Sequence, residues 1–358
     1  MHNLCVKINA CEKTYPIRIS DKEITGLKSE ILEIIEKNNF LAVISEKVYK
    51  LYGKALDFDK KRIFILKDGE KEKNFKTFEK ILSCALKLKL TRNDFIIAVG
   101  GGVCGDIAGF AASAYMRGIH LIQVPTTLLA CVDSSVGGKT GIDTKSGKNL
   151  VGAFYQPDAV LINTNFLKTL DDRQFKTGLG EVVKYAFIEK SCKCEDEFNL
   201  INFLSLNSAK ILERENEILE ELIRIGVSLK ISVVEKDERE GGLRKILNFG
   251  HTYAHAVEKL TNYRKYTHGE AVVKGIEFVF DYAEKKGMIV ESYKFIAEDL
   301  IKKFNFKKIP DFNIKKILSA MKMDKKATSE NLVFILPEDY AAVKEYKIFD
   351  DEILKYFG

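Results

Sequence analysis

The sequence predicts two halves of different class. The first is an α/β N-terminal domain with a parallel sheet and a Rossmann-like nucleotide site; the second is a mostly α-helical, metal-binding C-terminal domain. Three observations carry this. Apolar strand-like runs alternate with helical segments up to about residue 165. A glycine loop, Gly100-Gly-Gly102-Val-Cys-Gly105, joins one such run to the helix that follows. Three of the five histidines, His251, His255 and His268, crowd into a helical stretch of the second half. The division predicted is 1–168 for the nucleotide domain and 169–358 for the metal and substrate domain.

In order along the first half, 40–44 (FLAVI), 62–66 (RIFIL), 95–99 (FIIAV) and 120–124 (HLIQV) read as buried strands, and 75–90 as a helix between two of them. Such alternation calls for parallel strands with helical crossovers on the sheet faces. After Leu170 the period changes. Segments 175–188, 215–234, 252–260, 271–286 and 292–304 have helical spacing, and few strand-like runs remain, 332–336 (LVFIL) being one. The chain shows no internal repeat, no low-complexity tract and, with five prolines in all, no Pro-rich linker.

Composition narrows the function classes. A hydrophobic fraction of 46% with 30% charged residues is that of an ordinary globular protein, and 358 residues suit two domains. The net charge of +6 is spread over scattered lysines, which fits a small anionic substrate. No basic block with interleaved aromatics is present, which argues against a nucleic-acid partner. No apolar stretch is long enough to cross a bilayer, and residues 1–12 lack a signal-peptide core, so no membrane partner is expected. Seven cysteines without a C-x-x-C pair fit a reduced, cytoplasmic protein. Cys104 and Cys131 read as core, and Cys192 and Cys194 as a charged surface loop.

The glycine loop matches G-x-G-x-x-G at Gly100, Gly102 and Gly105, where backbone N–H groups at a helix start favour a diphosphate. The usual acidic ribose partner about 20 residues on is missing, since no Asp or Glu lies between Asp106 and Asp133. Pro125-Thr126-Thr127 follows the next strand and offers hydroxyl and N–H donors, or simply a cap. Asp133-Ser-Ser-Val-Gly-Gly-Lys139-Thr ends like a P-loop, but Asp133 stands where that loop needs glycine. This argues against a P-loop, while a glycine-flanked Lys139 still suits a phosphate or an oxyanion, with Lys148 and Asn149 downstream.

In the second half, Glu181 and Lys184 are three residues apart on a helix, a spacing commonest in surface ion pairs, yet their surroundings are apolar. Lys230 sits in an amphipathic helix and alone reads as a surface residue. The turn Asp237-Glu-Arg-Glu-Gly-Gly242 leads Arg244, Asn248 and His251 toward one place. His251 and His255 share a helix face, and His268 approaches from the next helix. Two imidazoles with a carboxylate such as Glu181 make a catalytic metal site with an open position.

Taken in order from residue 68 to 270, these motifs resemble the 3-dehydroquinate synthase family of sugar phosphate cyclases. The stretches are Asp68-Gly-Glu70-Lys-Glu-Lys73, the glycine loop through Asp106, Tyr115-Met-Arg117-Gly and Val124-Pro-Thr-Thr127. They continue with Asp133 to Thr140, Lys148 to Phe154, Glu181-Val-Val-Lys184, Asp237 to Arg244, Leu247-Asn-Phe-Gly-His251 and His268-Gly-Glu. The resemblance implies oxidation of 3-deoxy-arabino-heptulosonate 7-phosphate by bound NAD, loss of phosphate, reduction, ring opening and an aldol closure to 3-dehydroquinate. It implies Glu181, His251 and His268 as ligands of zinc, with cobalt as a substitute, and His255 as a proton-transfer group near the substrate. Lys139, Asn149, Lys184, Lys230, Arg244, Asn248 and Lys325 would hold the phosphorylated seven-carbon sugar acid. Arg117 would reach its phosphate from the partner subunit of a homodimer. NAD would meet Asp68, Glu70, Lys73, Gly101, Gly102, Val103, Gly105, Asp106, Thr126, Thr127 and Asp133, with Lys139 and Lys148 in the same cleft and Leu167 to Thr169 at its rim.

One departure concerns the cofactor. Ser45 stands where the family often has an acidic ribose contact, with Glu46 beside it as a substitute. Two other readings compete. A sister cyclase acting on sedoheptulose 7-phosphate or glucose 6-phosphate lacks a substrate carboxylate, against which Arg244, His255 and Lys325 argue. A metal- and NAD-dependent polyol dehydrogenase would release NADH and needs fewer anion-binding residues.

Overall fold

A computed structural model describes residues 13–324 and 331–358. Lys325, expected at the substrate, lies outside the described residues.

The first half contains β1 (Ile17–Ser20), α1 (Leu27–Ile35), β2 (Phe40–Ser45), α2 (Glu46–Leu56), β3 (Ile63–Leu66), α3 (Phe75–Lys87), β4 (Phe95–Gly100), α4 (Gly102–Ala114) and β5 (His120–Pro125). A hairpin follows, β6 (Lys139–Thr144) with β7 (Gly147–Phe154), and then β8 (Ala159–Asn163). Six strands form one parallel sheet in the order β1-β8-β5-β4-β2-β3. Side-chain alternation explains why it is buried on both faces. Phe40, Ala42 and Ile44 of β2 pack with α1 and α2, whereas Leu41 and Val43 pack with α3 and α4. From β2 the chain crosses to β3 on one side, and from β4 to β5 on the other. The crevice for a ligand therefore opens at the carboxyl ends of β2 and β4.

The second half contains α5 (Asp172–Ile188), α6 (Leu200–Glu213), α7 (Asn216–Lys236), α8 (His251–Leu260), α9 (His268–Lys285), α10 (Glu291–Lys303) and α11 (Ile314–Asp324). An antiparallel pair, β9 (Asn331–Asp339) and β10 (Ala342–Phe349), and α12 (Asp350–Phe357) complete it. No helix among the described residues is long and apolar enough to cross a membrane.

Cys104 and Cys131 lie in the core as expected. The expectation for Cys192 needs correction. A short 3-10 turn, Glu189–Cys192, folds it inward to full burial, and burial pushes its thiol up to about 12. Charged neighbours face outward from that turn, so the local composition misreads the one apolar position within it. Cys194 is half-buried.

Candidate active site and metal centre

Three helices converge on one point because glycines allow their backbones to touch. A Cβ on Gly180 of α5 would lie 2.5 Å from the Gly269 carbonyl oxygen, and one on Gly269 of α9 would lie 2.1 Å from that of Thr177. This crossing sets Glu181 beside His268. A Cβ on Gly275 would lie 1.9 Å from the carbonyl oxygen of Gly250, which itself has a left-handed φ of +77°. That contact brings the first residue of α8, His251, to the same place. The starts of α5 and α9 are also tied side by side. Arg173 grips Glu270 with Nε at 3.0 Å and Nη2 at 2.9 Å, while Glu270 closes a capping box with Thr267.

The result is a cluster of buried Glu181, His251 and half-buried His268, one ligand atom from each lying within 4.8 Å of the others. His251 Nε2 lies 3.4 Å and His268 Nε2 3.1 Å from Glu181 Oε1. The His251 Nδ1 lies 3.1 Å from the Phe249 carbonyl oxygen, which fixes Nδ1 as the protonated nitrogen and turns Nε2 inward. Neither Glu181 oxygen has a hydrogen bond of good geometry, although both are buried. A buried carboxylate whose Oε2 meets the Lys184 ammonium and whose Oε1 faces two imidazole nitrogens gives a donor set that fits a divalent transition metal. Burial opposes ionisation of Glu181, but Lys184, His251 and His268 hold it well below the usual carboxylate range.

Cations surround this cluster: Lys184 is buried, as its apolar surroundings indicated, and Lys230 is buried although its helix alone reads as surface. Lys184 is buried against Glu181, and Lys230 is buried against Asp133 at 2.6 Å. Burial pulls Lys184 down, yet Glu181 and Asp133 outweigh it and leave the ammonium above its ordinary value. For Lys230 burial wins and pushes it down to about 8. Asp133 lies in a one-turn π-helix, Ala130–Ser134, and accepts from the Tyr185 hydroxyl at 3.0 Å. Burial would raise that carboxyl, but Lys230 and Lys184 hold it at about 2.

Arg244 is fully buried and donates to the carbonyls of Gly137 and Glu238. The Asp237 carboxylate shapes its turn by accepting from the N–H groups of Gly241, Gly242 and Arg244. Glu240 bridges Asn248, at 2.7 Å, and Lys139. Lys139 opens β6 after two left-handed glycines rather than a helix, so a P-loop is absent there. The His255 ring stands 5.6 Å from that of His251 and 6.4 Å from that of His268, beside the cluster.

The glycine loop lies in the sheet crevice. Gly100 ends β4, Gly101 caps α4, and Gly102 begins it. A Cβ on Gly101 would meet Thr127 at 2.9 Å, and one on Gly105 would meet Gln123 at 2.8 Å, so these backbones pack where larger residues do not fit. Val103 is half-buried in the first turn of α4, and the Thr126 amide donates to the Gly100 carbonyl. Lys73 is buried between Asp106 and Asn149, at 2.5 Å from each. Lys148 pairs with Glu70 at 3.3 Å. Glu46 is engaged with Lys50 at 3.0 Å, whereas the Asp68 carboxylate accepts from the Lys47 amide at the start of α2, facing the crevice. Leu167 points into the core, and Thr169 meets the Tyr52 hydroxyl at 2.7 Å. Arg117 is exposed in the turn that ends α4. That places it at the opposite end of the sheet, about 20 Å from the glycine loop by helix rise.

Sequence reasoning missed Glu258, Tyr185, Glu240 and the Arg173–Glu270 fork. For Glu258 a signal exists: it stands seven residues after His251, hence on the same face of α8.

Two family models, 3-dehydroquinate synthase N-terminal and C-terminal, match residues 63–177 and 178–327. A 3-dehydroquinate synthase of Alkaliphilus metalliredigens is 41% identical, covering 98% of this chain and 97% of that one. Among solved structures, a 2-deoxy-scyllo-inosose synthase complexed with carbaglucose-6-phosphate, NAD+ and Co2+ superposes with a TM-score of 0.81 at 29% identity, over 95% of both chains. A 2-epi-5-epi-valiolone synthase from Streptomyces hygroscopicus with NAD+ and Zn2+ bound shares the fold, with a TM-score of 0.83 at 22% identity over 98% of both chains.

Proposed function

The chain belongs to the 3-dehydroquinate synthase family, and from that premise we propose how its residues perform the reaction. It converts 3-deoxy-D-arabino-heptulosonate 7-phosphate to 3-dehydroquinate and phosphate, by oxidation, phosphate elimination, reduction and intramolecular aldol closure. The observation that carries this is the Glu181, His251 and His268 cluster ringed by Lys184, Lys230 and Arg244, opposite a glycine-lined nucleotide crevice. When bound, NAD supplies a reversible hydride acceptor and the divalent metal, zinc or cobalt, a Lewis acid.

Glu181, His251 and His268 would hold the metal. Lys184 and Lys230 would bind the substrate hydroxyls, and Lys230, already near 8, is suited to carry a proton at neutral pH. The buried guanidinium of Arg244 is suited to the substrate carboxylate. Lys139, Asn149 and Asn248 would hold the phosphate, and His255 would move a proton beside the metal ligands. Asp68, Glu70, Lys73, Asp106, Thr126, Thr127 and Lys148 would border the dinucleotide, with Asp68 at its ribose. The exposed position of Arg117, remote from this chain's own crevice, supports its use by a second copy in a homodimer. We also propose a functional division at residues 168 and 169, and a cytoplasmic location, for which the free cysteines speak.

The test is phosphate release from the heptulosonate phosphate with catalytic NAD and zinc. Dehydroquinate formed without net NADH, and abolished by a chelator, is the expected result. Turnover on sedoheptulose 7-phosphate instead would move the chain to the sister cyclases.

A further inference from the structure

The metal ligands raise a problem of charge. Glu181 supplies one negative charge, but the Lys184 ammonium is in contact with the same carboxylate. Lys230 and Asp133 offset each other alongside. The immediate surroundings of a divalent cation are thus close to neutral, and a cluster of lysines disfavours a cation unless another anion is held close by.

Glu258 is a further buried carboxylate beside this cluster. It lies two turns along α8 from His251, on the same face, and is buried. Its Oε1 is 3.3 Å from His268 Nδ1, while Nε2 of the same ring faces Glu181 at 3.1 Å. The two imidazoles are therefore held from behind by different acceptors. His251 is backed by the neutral Phe249 carbonyl, and His268 by a carboxylate. A carboxylate at Nδ1 keeps that nitrogen protonated, leaves the Nε2 lone pair toward the cluster, and strengthens it as a donor. Burial of the Glu258 carboxyl is offset first by His268, then by His255 and by Lys148 of β7 in the first half.

We propose that Glu258 is a positioning residue of the metal centre, which fixes the tautomer and plane of His268 and supplies the extra negative charge the site needs. This rests on the reading of Glu181, His251 and His268 as metal ligands. Glu258→Ala and Glu258→Gln are compared with the parent chain in two measurements that need no turnover: zinc affinity by competition with a chromophoric chelator, and the visible absorption of the cobalt-loaded protein.

Glu258→Ala is expected to bind zinc about 10–100-fold more weakly and to give an altered cobalt band. Glu258→Gln keeps an oxygen acceptor for Nδ1 but loses the charge, and is expected to lose less, about threefold or more. Both variants binding zinc within about twofold of the parent, with its cobalt spectrum, overturns the proposal; if the alanine variant does not fold, the glutamine variant decides on the same criterion. His268→Ala separates the two readings: parent-like zinc binding in that variant removes the ligand assignment itself, and Glu258 with it.

Discussion

Replacing Gly269 by alanine tests the claim that glycine contact between helices builds the metal site. In an ordinary helix the change adds propensity and stabilises by about 0.4–1 kcal/mol. Here the new Cβ would meet the Thr177 carbonyl oxygen at 2.1 Å and its Cα and carbonyl carbon at 2.7 Å. Ordinary contact begins at 3.4 Å, so α5 and α9 must part by roughly 1.3 Å, against a close-packed interior. The obstacle is backbone, which cannot rotate away as a side chain does. Overpacking of this kind costs about 1–3 kcal/mol, so the sign of the propensity effect is reversed. The opening also exceeds the roughly 0.5 Å tolerance of a metal or catalytic constellation. Urea unfolding and zinc titration of Gly269→Ala should show lower stability and at least tenfold weaker zinc. Gly53→Ala in α2, where the nearest atoms belong to the Tyr49 ring at 3.0 Å, serves as the contrast and should keep zinc affinity unchanged. A stabilised Gly269→Ala with parent zinc affinity refutes the reasoning.

The remaining expectations concern charge. Lys184→Ala should lower kcat by about 100-fold or more while zinc content, read by metal analysis, is retained; His268→Ala should lose both, and full activity of either under saturating zinc counts against the assignment. Glu240→Gln removes the carboxylate that engages Lys139 and Asn248, so inorganic phosphate should bind about fivefold more tightly by calorimetry, the equivalent of roughly 1 kcal/mol; an unchanged affinity is the contrary result. The Asp133 carboxyl is held at about 2 in the folded chain against 3.8 ordinarily. Its contribution to stability is therefore complete above pH 4 and is lost as pH falls from about 4 to 2. Urea titrations at pH 5 and pH 2.5 should show a smaller drop for Asp133→Asn than for the parent, and equal drops would remove Asp133 from the acid limb.

How far the sequence discloses this fold depends on where each element gets its stability. The strands β2, β4 and β5 were legible because they are buried on both faces and so read as unbroken apolar runs. The edge strand β1 was not, being four residues long with a polar alternation and existing by virtue of its pairing with β8. The β6–β7 hairpin was hidden for another reason. Its residues Lys139, Lys148 and Asn149 read as ligand chemistry, and their strand conformation comes from cross-strand pairing and from packing on α4.

The same distinction runs through the site. Histidines four residues apart on a helix are a local signal, and His251 and His255 were visible together for that reason. Which of the two turns toward Glu181 was not local information. It depends on the α5–α9 crossing at Gly180 and Gly269 and on the Gly250–Gly275 contact, both joining residues distant in sequence. Lys184 and Lys230 carry the argument one step further. Lys184 has Glu181 three residues back on its own helix, whereas Lys230 has Asp133 only because the fold brings it there, and these carboxylates make the burial affordable. A buried lysine is costly without such a partner. The glycines that let the helices touch, and the carboxylates that meet the lysines inside, are therefore parts of one device that holds positive charge beside a cation site.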